Sequence, residues 1–188
     1  MIYLVIGTQN SGKSELAENL SMETGDSSRI YLATMKIYDE AGRERVKKHR
    51  QQREGKGFVT IEQELNVLEV VEKIEEPGKS TLLLECVSNL VGNELYENPV
   101  WKESILNYLD DIEAIDLNKQ KERFADSIAC DIKNLAGCVN NLIIVTNEYE
   151  ADDEGYDDET RLFVALLNMV NDRIYEFSDE IYDLRKER

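Results

Sequence analysis

Residues 7–14 read Gly7-Thr8-Gln9-Asn10-Ser11-Gly12-Lys13-Ser14, and they follow directly on the apolar run Ile2-Tyr3-Leu4-Val5-Ile6. This is a complete G-x-x-x-x-G-K-S phosphate loop, with a predicted strand before it and a predicted helix after it. Its glycines let backbone N–H groups curl around a polyphosphate at a helix N-terminus, which favours anions. We therefore predict a nucleotide site over residues 7–14, in which Lys13 reaches the β- and γ-phosphates and Ser14 holds Mg²⁺.

Length and composition favour one globular domain. The chain has 188 residues, of which 41% are hydrophobic, enough for one sizeable core, so we expect a single phosphate-loop α/β domain over residues 1–188. No apolar run approaches the roughly 20 residues of a membrane-spanning helix, and the N-terminus lacks the features of a signal peptide, so we expect a cytoplasmic protein. The cysteines, Cys86, Cys130 and Cys138, share no metal-ligand or redox spacing and are expected to be free thiols.

The net charge of −17 argues against a general nucleic-acid binder, because such proteins need a basic surface to displace counterions from phosphates. Basic residues nevertheless gather between Arg43 and Lys56, and acidic residues gather between Glu148 and Glu159. We interpret the acidic stretch as a solvated loop that self-repulsion keeps extended. A divalent-metal site is a second interpretation of that stretch, although its spacing is not that of a known calcium loop.

Apolar runs alternate with helical patterns along the chain. We predict strands at Ile2–Ile6, Arg29–Ala33, Phe58–Ile61, Thr81–Leu84, Leu142–Val145 and Glu180–Leu184. We predict helices at Lys13–Met22, Gly42–Arg53, Glu64–Ile74, Val100–Leu135 with a break near Asp116, and Glu159–Phe177. Continuously apolar strands are typical of sheets covered on both faces, so we expect an α/β, P-loop NTPase-like fold with a mostly parallel central sheet flanked by helices. In such folds ligands bind at the carboxyl ends of the strands.

Polar residues stand at the ends of three predicted strands. Glu85 directly follows Leu82-Leu83-Leu84, the position from which a carboxylate in a phosphate-loop enzyme contacts Mg²⁺, often through water. A helix cap is the second interpretation of Glu85. Thr34 closes another strand and Thr146-Asn147-Glu148 a third, although satisfying turn backbone is the commoner use of threonine and asparagine. We therefore predict Ser14 and Glu85 as metal ligands.

His49 is the only histidine of the chain. Helical spacing places Arg45 one turn before it and Arg53 one turn after it. Cationic neighbours disfavour the imidazolium form and leave a neutral ring nitrogen available as a nucleophile. On the residues alone, a surface histidine without a role is the commoner case, so both interpretations stay open.

Five segments together resemble the adenosylcobinamide kinase/adenosylcobinamide-phosphate guanylyltransferase family of cobalamin biosynthesis. In order, they are Gly7–Ser14, Ile30–Thr34, Arg45–Arg53, Leu84–Cys86 and Val145–Glu148. In that family the helix after the second strand carries R-[IV]-x-x-H-[RK]-x-x-R, and this chain matches it with Arg45-Val46-Lys47-Lys48-His49-Arg50-Gln51-Gln52-Arg53. The resemblance is strong over about residues 1–62 and 81–95 and thinner after them.

The resemblance implies a set of site residues. His49 falls on the histidine that becomes covalently attached to GMP, and it joins Lys13 as a catalytic candidate. Positions that contact the guanine nucleotide in the family fall on Ala33, Thr34, Met35, Arg50, Gln51, Gln52, Arg53, Glu62 and Glu85. Mg²⁺ is the implied metal, GTP or ATP the implied donor, adenosylcobinamide and its phosphate the implied substrates, and a homotrimer the implied assembly.

The resemblance implies two reactions. A nucleoside triphosphate first gives its γ-phosphoryl group to the hydroxyl of the aminopropanol arm of adenosylcobinamide. His49 then attacks the α-phosphate of GTP, and the GMP passes to adenosylcobinamide phosphate, giving adenosylcobinamide-GDP.

Two alternatives stay open. One is a GTP- or ATP-binding protein with a regulatory role that has lost one or both transfer activities, because the acidic stretch replaces the family's glycine-containing segment after Asn147-Glu148. The other is a small-molecule kinase of other specificity, in which His49 has no role.

Overall fold

A parallel sheet forms the centre of the protein. The computed structural model describes residues 1–37, 40–106, 114–149 and 155–185, and for residues 41, 45, 48, 49, 52, 114 and 115 it describes the backbone only. The strands are β1 Ile2–Gly7, β2 Ser28–Ala33, β3 Phe58–Glu62, β4 Ser80–Glu85, β5 Asn141–Asn147 and β6 Glu180–Leu184. They form one six-stranded sheet in the order β3-β2-β4-β5-β1-β6, and all neighbours are parallel. The predicted α/β fold is confirmed.

Helices connect most consecutive strands. They are α1 Lys13–Glu23, α2 Glu40–Arg53, α3 Val87–Glu97, the single turn α4 Pro99–Trp101, α5 Ala114–Cys138 and α6 Asp158–Phe177. Shorter helical segments are the 3-10 turns Val67–Lys73 and Pro77–Lys79 and the π-turn Lys102–Leu106. No helix within the described ranges is long and apolar enough to cross a membrane.

The helix predictions differ from the structure in two places. The helix α3 is absent from the predictions, although its apolar residues recur at helical spacing and are buried. The predicted helix Glu64–Ile74 is instead a 3-10 segment that begins at Val67, after Asn66 adopts a left-handed φ of 49°. The predicted break near Asp116 stays a prediction, because α5 begins at Ala114 and residues 107–113, just before it, lie outside the described part of the chain.

Both faces of the sheet are covered, which explains why its strands are continuously apolar. In β4, Leu82 and Leu84 pack with residues of α3, α5 and α6, whereas Leu83 packs with α1 on the opposite face. All three leucines are completely buried. Burial of one such side chain stabilises the fold by about 1.5–3 kcal/mol, so this run holds β4 in the middle of the sheet.

The strand order creates a crevice at one edge of the sheet. β1 lies between β5 and β6, whereas β2, which follows it in sequence, lies three positions away. The connection from β1 to β2 runs toward one side of the sheet, whereas the connection from β5 to β6 runs toward the other. Where the direction of the connections reverses, a crevice forms at the carboxyl ends of the strands, and open α/β sheets bind ligands there. The loop 7–14 follows β1 and Glu85 ends β4, so both candidate segments lie at this edge.

Thr34 locks the ends of β2 and β4 together. Its backbone N–H donates to the carbonyl of Glu85 at 3.1 Å. Its hydroxyl donates to the carbonyl of Cys86 and accepts from the N–H of Cys86, both at 2.8 Å. The side chain of Asn93, in α3, donates to the carbonyl of Thr34 at 2.7 Å. Because Thr34 and Cys86 are buried, these bonds fix the position of Glu85.

Thr34→Val should destabilise the protein. Valine keeps the shape of threonine but leaves the buried N–H and carbonyl of Cys86 without their hydroxyl partner, which costs about 1–3 kcal/mol. Urea denaturation of both proteins measures this loss. The matched control is Thr60→Val, at an exposed position of β3, where a surface substitution changes the free energy of unfolding by less than roughly 0.5 kcal/mol. Equal free energies of unfolding for Thr34→Val and the wild type would show that the hydrogen bonds between Thr34 and Cys86 do not stabilise the protein.

Candidate functional site

The loop 7–14 joins β1 to α1 and depends on two glycines. Gly12 has a left-handed φ of 87°, which residues with a side chain rarely adopt. A Cβ atom on Gly7 would lie 2.6 Å from Ser11 Oγ and 3.0 Å from Leu184 Cβ, so the loop folds closely beside β6 only with glycine there. The two glycines thus allow the tight turn that a phosphate loop needs.

Lys13 lies inside this loop. Its side chain is buried, and its Nζ donates to the carbonyl of Thr8 at 2.5 Å. Burial lowers the pKa of Lys13, while the nearby Glu85 carboxylate acts in the opposite direction. The Lys13 ammonium would form a stronger hydrogen bond with an anion than with the neutral Thr8 carbonyl, because hydrogen bonds between oppositely charged groups are stronger than those to neutral acceptors. The position of Lys13 therefore fits contact with a phosphate group.

The two predicted metal ligands, Ser14 and Glu85, contact each other. Ser14 Oγ donates to Glu85 Oε1 at 2.9 Å, although the residues are 71 positions apart in sequence. Burial raises the pKa of Glu85 to about 7, against the effects of the Ser14 hydrogen bond and of Lys13. Glu85 Oε2 is shielded from solvent and has no hydrogen-bond partner among the described residues. An unpartnered, buried carboxylate oxygen is costly, which points to a cation as its missing partner.

The donor set fits Mg²⁺. Hydroxyl and carboxylate oxygens are hard ligands, and Mg²⁺ in proteins is usually bound by one or two carboxylates together with water and substrate phosphates. In the described ranges no group of three or more histidine, cysteine, aspartate or glutamate residues could hold a metal ion by itself. A metal ion at Ser14 and Glu85 would therefore need oxygen atoms of a bound nucleotide as further ligands.

Two arginines attach the basic helix α2 to the sheet. Arg50 Nη2 lies 2.5 Å from Glu62 Oε1, at the end of β3. Arg53 is 6% exposed, and its Cζ lies 3.3 Å from the centre of the Tyr31 ring in β2. Nε and Nη1 of Arg53 are shielded from solvent and have no hydrogen-bond partner within the described part of the chain. The basic stretch is therefore more than a solvated surface.

A cavity of about 220 Å³ lies between α2 and the carboxyl ends of β2, β3 and β4. Apolar side chains form one part of its wall and charged side chains another. The lining comprises Tyr31, Ala33, Met35, Lys36, Ile37, Val46, Arg50, Arg53, Thr60, Glu62, Glu64 and Glu85. An apolar wall with a few charged groups suits a ligand that combines a flat base with an anionic tail.

Six of the nine nucleotide contacts that the family resemblance implies line this cavity, whereas the residues of the loop 7–14 are not among its lining residues. Those that line it are Ala33, Met35, Arg50, Arg53, Glu62 and Glu85. Gln51 lines an adjoining groove, whereas Thr34 is buried and its hydroxyl is engaged by Cys86. His49 and Gln52 belong to α2, but their side chains lie outside the described residues. The roles given to all of these residues stay predictions.

Several lining residues lie outside the predicted set, among them Tyr31, Val46 and Thr60. Tyr31 and Thr60 precede Ala33 and Glu62 by two positions in their strands, and side chains two apart in a strand share a face. Val46 lies one helical turn before the first arginine of the cavity. Strand and helix periodicity applied to the predicted contacts could have identified all three.

The polar residues at the end of β5 form hydrogen bonds with residues of the adjacent helices. Thr146 Oγ1 donates to the side-chain oxygen of Asn171 at 2.7 Å, and the Asn171 amide donates to the carbonyl of Asn147 at 3.0 Å. The Asn147 amide donates to Ser88 Oγ at 2.8 Å. These polar residues therefore connect β5 to α6 and α3.

The acidic stretch is described only in part, because residues 150–154 lie outside the described ranges. Before the gap, Glu148 pairs with Arg185 at 2.9 Å. After it, Asp157 accepts from the N–H of Thr160 at 2.8 Å and caps α6. Both interpretations of the stretch stay predictions.

The cysteines are free thiols, as predicted. Burial raises the pKa of Cys86 to about 11, and the adjacent Glu85 carboxylate adds to this effect. A thiol that stays protonated at neutral pH is a poor nucleophile. Cys86 is therefore a poor candidate for a nucleophile at this site.

Comparison with known proteins agrees with these features. The family model for cobinamide kinase / cobinamide phosphate guanyltransferase, CobU, matches residues 3–185. A curated relative, the bifunctional adenosylcobalamin biosynthesis protein CobU of Escherichia coli (strain K12), is 30% identical over 186 residues, which cover 97% of this chain and 94% of that protein. Because both matches extend over nearly the whole chain, this protein belongs to the cobinamide kinase/cobinamide phosphate guanyltransferase family.

Proposed function

We propose that the protein phosphorylates adenosylcobinamide and then transfers GMP from GTP to adenosylcobinamide phosphate. Family membership makes the chain a kinase and nucleotidyltransferase of cobalamin biosynthesis. The observation that carries the proposal is the contact between Ser14 and Glu85 beside a cavity lined by Arg50 and Arg53. A metal-binding pair next to cationic side chains fits chemistry at a triphosphate, in which most of the catalytic effect comes from positioning and electrostatic stabilisation.

In the first reaction the substrate hydroxyl attacks the γ-phosphorus and a nucleoside diphosphate leaves. The backbone N–H groups of residues 7–14 hold the phosphates, and Lys13 exchanges the Thr8 carbonyl for a phosphate oxygen. Ser14 and Glu85 would hold Mg²⁺, which would offset the negative charge that develops on the phosphates during transfer. ATP and GTP can both serve as donors here, since the loop contacts only the phosphates.

In the second reaction a ring nitrogen of His49 attacks the α-phosphorus of GTP, and pyrophosphate leaves. A phosphate oxygen of adenosylcobinamide phosphate then attacks the same phosphorus, so that histidine is released and adenosylcobinamide-GDP forms. Covalent catalysis divides one difficult displacement into two easier ones. Arg50 and Arg53 stabilise the negative charge on the transferring phosphate.

We also expect the enzyme to act in the cytoplasm, where GTP and ATP are available, and to form the homotrimer that the family resemblance implies. Its partners are small molecules rather than nucleic acids, in keeping with its net charge of −17.

His49 should carry GMP when the protein is incubated with Mg²⁺ and GTP labelled at the α-phosphate. The expected product is an acid-labile, alkali-stable adduct, seen by intact mass as one added GMP on the wild type and absent from His49→Ala. Lys47→Ala, at an exposed position of the same helix, is the matched control and should be labelled like the wild type. A wild type that binds GTP without forming the adduct, or a labelled His49→Ala, would exclude His49 as the nucleophile.

Glu85→Gln should stabilise the nucleotide-free protein at high pH while weakening its Mg²⁺-dependent nucleotide binding. The folded state raises the pKa of Glu85 from 4.5 to about 7, so the folded protein binds more protons than the unfolded chain between these values. The wild type therefore loses stability as the pH rises through this window, whereas the glutamine variant does not.

The expected gain of Glu85→Gln over the wild type is roughly 2–3 kcal/mol larger at pH 8 than at pH 5. Urea denaturation at both pH values, without Mg²⁺ or nucleotide, measures it. The pH dependence of the wild type should persist in Glu62→Gln, since Glu62 is exposed and ion-paired with Arg50. A Glu85→Gln variant that is less stable than the wild type at pH 8 would show that the ionised, buried Glu85 does not destabilise the folded protein.

A further inference from the structure

Arg53 rests with the flat face of its guanidinium group on the ring of Tyr31. The distance of 3.3 Å between Cζ and the ring centre leaves no room for a nitrogen atom between them, so the two planes are stacked. Both side chains are buried, with exposures of 6% for Arg53 and 5% for Tyr31. Attraction between a cation and the ring quadrupole is strongest in such desolvated surroundings.

No carboxylate among the described residues neutralises Arg53 through a hydrogen bond to Nε or Nη1. Three carboxylates in its surroundings hydrogen-bond to other residues: Glu18 to Lys56 at 2.5 Å, Glu62 to Arg50 at 2.5 Å, and the Oε1 atom of Glu85 to Ser14 at 2.9 Å. Buried donors without partners are costly. Arg53 therefore presents donors that an anion from outside the chain can satisfy, and it lines the cavity in which that anion would lie.

We propose that Tyr31 is a positioning residue: its ring holds Arg53 by the face and leaves the N–H edge of the guanidinium free to bind the triphosphate of the guanine nucleotide. A carboxylate partner would occupy the same N–H groups that a phosphate needs, whereas an aromatic ring occupies only the face. The inference rests on the proposed function, in which Arg53 contacts the nucleotide, and adds the residue that orients Arg53.

The sheet fixes Tyr31 in turn. Tyr31 pairs with Thr60 of β3 on one side and with Leu83 of β4 on the other. Phe58 packs edge-on against its ring, with the ring centres 6.4 Å apart and the planes at 86°. Burial and the Glu85 carboxylate raise the pKa of Tyr31, so its phenol is neutral at physiological pH. The contact with Arg53 is therefore made by a rigid, uncharged ring.

A double-mutant cycle on nucleotide affinity tests this role. The wild type, Tyr31→Leu, Arg53→Gln and the double variant are titrated calorimetrically with Mg²⁺ and a GTP analogue whose α- and β-phosphates are joined by a methylene group. Tyr31→Leu should weaken binding about tenfold, or about 1.4 kcal/mol. In the Arg53→Gln background the same substitution should change the affinity less than about twofold, because its effect acts through Arg53. Tyr31→Phe keeps the ring and should bind within about twofold of the wild type.

Tyr3→Leu is the matched control. Tyr3 lies in the same cross-strand row as Tyr31, connected through Leu83 and Ile143, and packs in the same apolar cluster. This control should lower the melting temperature and leave the affinity unchanged with or without Arg53.

Three results would overturn the inference: equal losses from Tyr31→Leu in both Arg53 backgrounds, a loss in Tyr31→Phe as large as that in Tyr31→Leu, or no binding of the analogue by the wild type. The analogue cannot transfer GMP, so the cycle reports on binding alone. Failure of the proposed transfer chemistry would appear separately, as a wild type that binds this analogue but forms no GMP adduct from GTP.

Discussion

The hydrogen bond from the Ser14 hydroxyl to the Glu85 carboxylate connects the phosphate-loop helix to the central strand β4, and the candidate site is built around it. It holds a carboxylate whose pKa burial raises to about 7 and whose second oxygen has no partner in the described part of the chain. The neighbouring lock of Thr34 on Cys86 keeps the end of β4 where this contact requires it. Ionisable groups with strongly shifted pKa values gather at functional sites, and a divalent cation would remove the cost of this one.

Three cationic side chains, Lys13, Arg50 and Arg53, lie at the candidate nucleotide site of this acidic protein. The chain carries a net charge of −17, which by itself would repel a triphosphate. Lys13 is held by a neutral carbonyl and Arg53 by an aromatic ring. Among the described residues, neither is hydrogen-bonded to a carboxylate that would neutralise its charge. Arg50, by contrast, is paired with Glu62 at an exposed position. Lys13 and Arg53 are therefore better able than Arg50 to bind an incoming anion.

The fold could be predicted largely from local signals. Continuous apolar runs mark strands buried on both faces, and the motif over residues 7–14 requires a strand before it and a helix after it. The predicted helix Glu64–Ile74 failed for a local reason: Asn66 adopts a left-handed φ, so the helical segment begins at Val67 rather than at Glu64.

The site was less predictable than the fold because it depends on contacts between distant segments. The sequence indicated Ser14 and Glu85 separately, but their contact spans 71 positions and follows from the strand order. The role of Tyr31 could not be predicted because an aromatic residue in an apolar strand is usually part of the core, and its contact with Arg53 depends on how α2 packs against β2. The role of Gln52 rests on the family resemblance, and that of His49 on the resemblance together with the arginines one helical turn before and after it in the sequence.

Turnover of adenosylcobinamide by the purified protein with Mg²⁺ and GTP, followed by mass spectrometry of the corrinoid products, tests the proposed function most directly. We expect adenosylcobinamide phosphate to appear first and to be converted to adenosylcobinamide-GDP. Tight binding of GTP with no phosphorylated or guanylylated corrinoid would contradict the proposed function and would identify the chain as a nucleotide-binding protein without transfer activity.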